Sequence, residues 1–448
     1  MPAVVYILGL GIFAMTTSEF MVAGMLPELS AGLGVSISAI GYLVSAYAVA
    51  MALAGPVVSA AMARVSRSRA LVALLAAFLV GQVLGAVATG YPMLVVSRLV
   101  TGAAEAAFFG VGLTVAMDAV RPGLAGRASS VVLGGLMVSS VLGVPLATLL
   151  AQWVGWRGAF WAVAGLVLVA GLAVLHTVRA PVAGSPTRPV GTDGSASSAG
   201  PVGSDGPASS DGSSAGAAQG GLRAELGLFR NRKLWAVYAT SMLHIGALFA
   251  ATSYFAAIFI ERTGFAPELV PALLTGYGVA AVVGNTIAGR LADRFPMAVL
   301  TVGLGALTLL LAGFAAGSTV PSVALVAVLG IGLVGLPLNS ATIARRMRVA
   351  ANTPMINTVG ASVVNVGIAV GPTLGGVAIS AGLGLTAPLW IGAALAGLGL
   401  LSLVPYLLRT RPGVVPTGGK TAALRETQPM LAGIDDHAVT RGLECSGT

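Results

Sequence analysis

The chain has 448 residues, 56% of them hydrophobic and only 9% charged, with a mean hydropathy of +0.93. A soluble domain carries ~25% charged residues, so this composition excludes a protein that must clothe a whole surface for water. The formal charge of +9 first suggests nucleic acid, and the single cysteine, Cys445, excludes a disulfide framework. What remains is an all-α membrane protein.

A span needs ~20 apolar residues. Runs of that kind, broken by Arg, Gly, Pro or short polar stretches, lie near 4–26, 38–60, 70–90, 92–116, 127–151 and 157–178, then near 234–258, 268–289, 298–317, 320–343, 354–380 and 385–408. They predict twelve transmembrane helices. The start lacks the basic region of a signal peptide, so the first run is read as a retained helix. After the sixth span, Pro181–Gly221 is rich in Gly, Ser, Pro and Ala and is expected to be a disordered linker. Leu222, Leu226 and Phe229 then recur at helical spacing among basic residues, which predicts a short helix on the membrane surface. The expected organisation is one six-helix bundle over 1–178, linker and surface helix over 179–233, a second bundle over 234–408 and a disordered tail over 409–448.

Alternate loops hold the basic residues: Arg64, Arg67 and Arg69; Arg121 and Arg127; Arg290 and Arg294; Arg345, Arg346 and Arg348. The opposite loops carry Arg157 and Arg262. Lys and Arg collect on the cytoplasmic side, so both termini are predicted to be cytoplasmic, in a cell membrane. The positive charge forms rings at one membrane face, which removes the reason to expect nucleic acid.

The two halves repeat one another. "TSEF" at Thr17–Phe20 returns as "TSYF" at Thr252–Phe255, the basic turn after the second span returns as "GRLADRFP", and "LGVPLATLL" in the fifth span has a partner, "VGPTLGGVA", in the eleventh. Duplicated halves about a midplane site mark secondary transporters. Two pseudo-symmetric six-helix bundles are therefore expected.

Charged residues inside spans are costly and mark function by default. Glu19 lies in the first span, and Arg98 and Glu105 share a face of the fourth, seven residues apart. At 1.5 Å per residue, Glu19 lies ~22 Å up a ~30 Å core, at nearly the depth of Arg98, with Glu105 nearer the cytoplasm. One reading is a proton relay, because burial favours a neutral carboxyl and a nearby guanidinium favours the ionised one. The other is a fixed ion pair between Arg98 and one acid.

Small residues recur every fourth position, at Gly135, Ser139, Gly143, Ala147 and Ala151 in the fifth span and at Gly367, Gly371 and Gly375 in the eleventh. They predict close helix approach, with Pro145 and Pro372 able to bend each helix. Tyr254 and Phe255 are candidates for a cavity wall. Asn285, Asn339, Asn357 and Asn365 are candidates for substrate or interhelical bonds, with Asn339 and Asn365 retained as cavity residues. His244 is expected to bond to backbone, and Asp118, beside Arg121 and Arg127, to belong to a cytoplasmic ion-pair cluster.

With "TTSEFMVAGMLPEL", "SRLVTGAAEAAFFGVG" and "GIAVGPTLGGVAI", the chain resembles the major facilitator superfamily, in particular its twelve-span drug/proton antiporters and bacterial exporters of the chloramphenicol-resistance and arabinose-efflux type. The family's turn motif is matched by Gly289, Leu291, Asp293 and Arg294; the first copy keeps Arg64 but has Ala63 at the acidic position. The resemblance implies alternating access by a monomer, protons and a small amphipathic drug as partners, proton coupling through Glu19, Arg98 and Glu105, and conformational roles for the turn motifs and for Gly143, Pro145, Gly371, Pro372 and Gly375. Sugar or nucleoside efflux, proton symport and a non-transporting sensor are the open alternatives. There is no G-x-x-x-x-G-K-[ST] phosphate loop, no His/Cys cluster and no nucleophile–base set, so neither an enzyme, a cofactor nor a metal is expected.

Overall fold

The computed structural model describes residues 1–62, 65–121, 124–177, 229–350 and 354–409. Arg64, the linker, the first seven residues of the predicted surface helix and the tail beyond 409 lie outside them. The described residues form helices and turns with no strand, and they make twelve helical spans, some built of consecutive helices, long and apolar enough to cross a membrane. Residues 1–403 pack as one unit; a second begins at Val404.

The first half comprises α1 (Ala3–Gly24), α2 (Leu26–Leu33), α3 (Ile37–Met62), α4 (Arg67–Ala86), α5 (Tyr91–Asp118), α6 (Ala125–Val138), α7 (Val144–Val154) and α8 (Trp156–Thr177). The second comprises α9 (Arg232–Thr252), α10 (Val270–Arg294), α11 (Pro296–Ala316), α12 (Pro321–Val334), α13 (Leu338–Val349), α14 (Pro354–Ala378) and α15 (Ala387–Leu401). Proline stands in the first turn of α5, α10, α11, α12 and α15, where its missing N–H has no helical partner to lose. The helix α2, unforeseen in the sequence, turns the chain after the first span and ends at Gly34 in the left-handed region, φ 63°.

The small-residue stripes do what their spacing predicts. In the first half the fifth span lies against α1: Gly135 abuts the Gly9 carbonyl, Gly143 abuts Thr17, and Ser139 and Thr17 share a hydroxyl hydrogen bond of 3.0 Å. In the second half α14 lies against α9, where a Cβ on Gly371 would stand 2.8 Å from the Ala250 nitrogen and one on Gly367 2.8 Å from the Met242 oxygen. Backbone cannot step aside cheaply. Gly371→Ala is therefore expected to cost about 1–3 kcal/mol, seen as a lower thermal midpoint in detergent. Gly305→Ala, where nothing lies within 4 Å, should leave the midpoint level or raise it.

The prolines differ in effect. The fifth span carries a π-helical turn, Ser139–Gly143, ahead of Pro145, which cannot donate a backbone hydrogen bond. The eleventh continues as α-helix through Pro372 and changes to a π-turn only at Ile379–Leu383.

The halves meet along α3 with α14 and α7 with α10. Toward the end remote from the basic loops, Thr373 donates to Ser45 (2.9 Å), Ser380 to Ser38 (2.9 Å), and Gln152 to the Pro267 carbonyl (2.8 Å). Glu28 on α2 has a buried Oε2 without a partner among the described residues. Burial pushes its carboxyl up, against the lowering effect of its own backbone and of Gln152.

At the basic end Asp118 pairs with Arg67, joining the end of α5 to the start of α4. This is an ion pair at the basic end, as expected for Asp118, made with Arg67 of the neighbouring helix; Arg121 and Arg127 lie beyond the end of α5. In the second turn motif Arg348 on α13 donates to the main-chain oxygen of Asp293 at 2.7 Å, capping α10 through its carbonyls. The Asp293 and Arg294 side chains are exposed, with the Arg294 guanidinium 5.3 Å from the Phe295 ring, and Gly289 is half-buried one turn earlier.

Candidate functional site

Helices α1, α3, α4 and α5 bring a buried polar cluster together inside the first half. Arg98 is fully buried and donates from Nη1 to the Ser18 hydroxyl (3.0 Å) and from Nη2 to the Ser18 carbonyl (2.8 Å). Its guanidinium lies 4.3 Å from the centre of the Tyr47 ring, a cation–π distance. Gln82 donates to the same Ser18 hydroxyl. The Tyr47 hydroxyl donates to Glu105 Oε2, and Thr16 donates to Oε1 at 3.4 Å. Gly102 lets α5 approach closely, since a Cβ there would stand 2.5 Å from the Tyr47 carbonyl oxygen.

Glu19 sits one residue beyond the Arg98 anchor, buried and within electrostatic reach of Arg98 and Glu105. Among the described residues neither acid forms an ion pair with Arg98. The fixed ion pair offered by the sequence is thus absent, because the guanidinium fork is occupied by Ser18 and the ring of Tyr47. Two carboxyls and one guanidinium share the site. With one proton on the two acids the trio is neutral; without it the trio carries one negative charge.

Beside this cluster, between the two halves, lies a cavity of about 70 Å³. Phe20, next in sequence to Glu19, forms one wall and its repeat partner Phe255 forms another. Phe20 meets Phe249 at 5.6 Å, and Phe255 meets Tyr277 edge-on at 6.1 Å. Ser140, Thr252 and Ser253 supply hydroxyls, and no lining residue is charged.

The other sequence candidates are placed elsewhere. Tyr254 is fully buried outside the lining, its hydroxyl donating to the Pro372 carbonyl at 2.8 Å and its ring packed on Gly375. It joins α14 to the seventh span. Asn339 accepts from Thr342 on α13, and Asn365 is half-buried on α14; neither lines the cavity. His244 bonds to the Gly335 carbonyl at 2.8 Å, as expected, where the tenth span is interrupted between α12 and α13.

Sequence reasoning missed Ser18, Tyr47 and Gln82. Ser18 lies within the repeated "TSEF", and a lone Tyr and Gln inside apolar spans are the available signals for the others.

A twelve-span, internally repeated bundle with buried ionisable groups beside a cavity between its halves defines a class, that of multi-pass membrane transporters. The family model described as Major Facilitator Superfamily matches residues 8–273 and 240–434, and the chain belongs to that family. It is 33% identical over 412 residues to the chloramphenicol resistance protein of Streptomyces lividans, covering 91% of this chain and 96% of that protein. It is 32% identical over 413 residues to the inner membrane transport protein YdhP of Escherichia coli O157:H7, with the same coverages. Among solved structures, a bacterial homologue of the human lysosomal transporter Spinster has the same fold, with a TM-score of 0.66 at 14% identity over 91% of this chain and 96% of that one.

Proposed function

We propose that this transporter exports a small uncharged amphipathic compound, chloramphenicol or a similar antibiotic, in exchange for protons, from a bacterial inner membrane with both termini cytoplasmic. The observation carrying this reading is the adjacency of Glu19 and Phe20: a buried carboxyl of the charged trio is one residue from the wall of an aromatic cavity. A change in protonation at Glu19 or Glu105 alters the charge beside Arg98, and the Ser18 anchor passes that change to α1, which carries Phe20. The turn motifs around Arg64, Gly289, Asp293 and Arg294, the π-turn ahead of Pro145 and the helix around Pro372 serve the motion. The similarity to a chloramphenicol resistance protein supports the drug assignment.

A cavity of about 70 Å³ is smaller than the ~300–1,000 Å³ of a drug-sized pocket. Substrate admission therefore requires the lining helices to separate. Hydrogen bonds between the halves at the end remote from the basic loops favour opening toward the basic end first, with the six-helix halves rocking as units of a monomer.

The test is accumulation in a pump-deficient host across a compound panel, with and without an uncoupler. Expressing cells should hold less chloramphenicol than controls, and the difference should vanish when the proton gradient collapses. Exclusion that survives the uncoupler would sink the antiport reading.

A further inference from the structure

The duplicated "TSEF/TSYF" motif supplies two equivalent serines, Ser18 and Ser253, with different surroundings. Ser18 is occupied: Arg98 and Gln82 both donate to its hydroxyl. Ser253 is 1% exposed and lines the cavity, yet its hydroxyl has no partner among the described residues. A buried hydroxyl without a hydrogen bond costs free energy and calls for an explanation. The neighbouring hydroxyls are different. Thr252 donates to the Leu248 carbonyl at 3.0 Å and Ser140 to the Leu136 carbonyl at 3.2 Å, each within its own helix.

Ser253 lies where the span is interrupted. Helix α9 ends at Thr252, and the chain turns at Ser253–Tyr254 before a short helical turn at Phe255–Ala257. At that turn the Tyr254 N–H bonds to the Ala251 carbonyl at 3.0 Å, a three-residue step in place of the helical four. Interrupted spans are common at transporter binding sites, because irregular backbone is tolerated only where it is buried in protein or lines a cavity.

We infer that Ser253 is the specificity-determining hydrogen-bond partner of the substrate, and that the cavity takes an uncharged aromatic molecule bearing a hydroxyl or carbonyl oxygen. This rests on the reading of the cavity as the transport site. Phe20, Phe249, Phe255 and Tyr277 offer ring faces and edges to an aromatic group. Ser253 offers the polar contact that fixes its orientation. The duplication has thus divided one serine position between two tasks: Ser18 holds the arginine of the charged trio, and Ser253 reads the substrate.

Equilibrium binding of radiolabelled chloramphenicol to the full chain in lipid nanodiscs tests this, with ethidium as a cationic aromatic competitor. Ser253→Ala should weaken chloramphenicol binding about five- to tenfold, the worth of one buried hydrogen bond, without lowering the thermal midpoint. Ser253→Cys, which keeps a weak donor of similar size, should fall between the two and carries the test if the alanine variant does not fold. Ethidium at equal concentration should displace little chloramphenicol. Undiminished binding in both variants overturns the role of Ser253 alone, and preference for ethidium overturns the uncharged substrate class. A wild-type protein that binds no chloramphenicol overturns the drug reading of the cavity and this inference with it.

Discussion

Glu19→Gln should abolish uphill, proton-driven export while leaving substrate counterflow intact. The substitution preserves shape and removes only titration. Glu19 makes no hydrogen bond among the described residues, so no network collapses when its charge is lost, and expression and thermal midpoint should stay near wild type. Counterflow, in which substrate on one side exchanges for labelled substrate on the other, requires the halves to move but needs no net proton transfer. A proton-coupling role therefore predicts a split between the two assays; a packing role predicts equal loss in both. Normal uphill export by the variant would reduce Glu19 to a structural residue. The repeat makes this outcome physically reasonable: Tyr254 occupies the equivalent position and bonds to the Pro372 carbonyl, so the fold itself does not require an acid there.

The spans were legible because a bilayer admits helices only where apolar runs are long enough, and the first prediction, 4–26, differs from α1 by only one or two residues at each end. The stripe at Gly367, Gly371 and Gly375 was legible for a related reason: a four-residue step keeps small residues on one face, wherever that face turns. Depth was legible too. Counting 1.5 Å per residue put Arg98 level with Glu19, and the guanidinium binds Ser18, the residue before it. Azimuth was not legible. A helix such as α1, apolar on every side, has no polar face to orient it, so nothing in the sequence said that Ser18 rather than Glu19 would meet the guanidinium. The same limit misdirected the choice between Tyr254 and Phe255. Both were cavity candidates, and the turn at Ser253–Tyr254 sends one toward α14 and the other to the cavity wall.

Arg98→Met should impair both assays, in contrast to Glu19→Gln. Two hydrogen bonds to Ser18 and the stacking on Tyr47 disappear together, and the positive charge facing Glu19 and Glu105 is lost. A hydrogen bond made by a buried charged group is worth about 1.5–3 kcal/mol, so the thermal midpoint should fall clearly. Arg98→Lys separates charge from geometry. Lysine keeps the cation but lacks the planar fork that addresses the hydroxyl and carbonyl of one residue at once, and it stacks less well on a ring. If Arg98 acts only as a counter-charge, the lysine variant should restore uphill export. If it transmits the protonation change to α1 by gripping Ser18, the lysine variant should recover much of the lost stability while its uphill export stays at least about tenfold below wild type, equivalent to ~1.4 kcal/mol of transition-state stabilisation. The second outcome is expected, because the two donor bonds converge on the residue adjoining both Glu19 and, one further on, the cavity wall at Phe20. Full recovery of export by lysine would transfer the coupling role from the geometry of the fork to its charge.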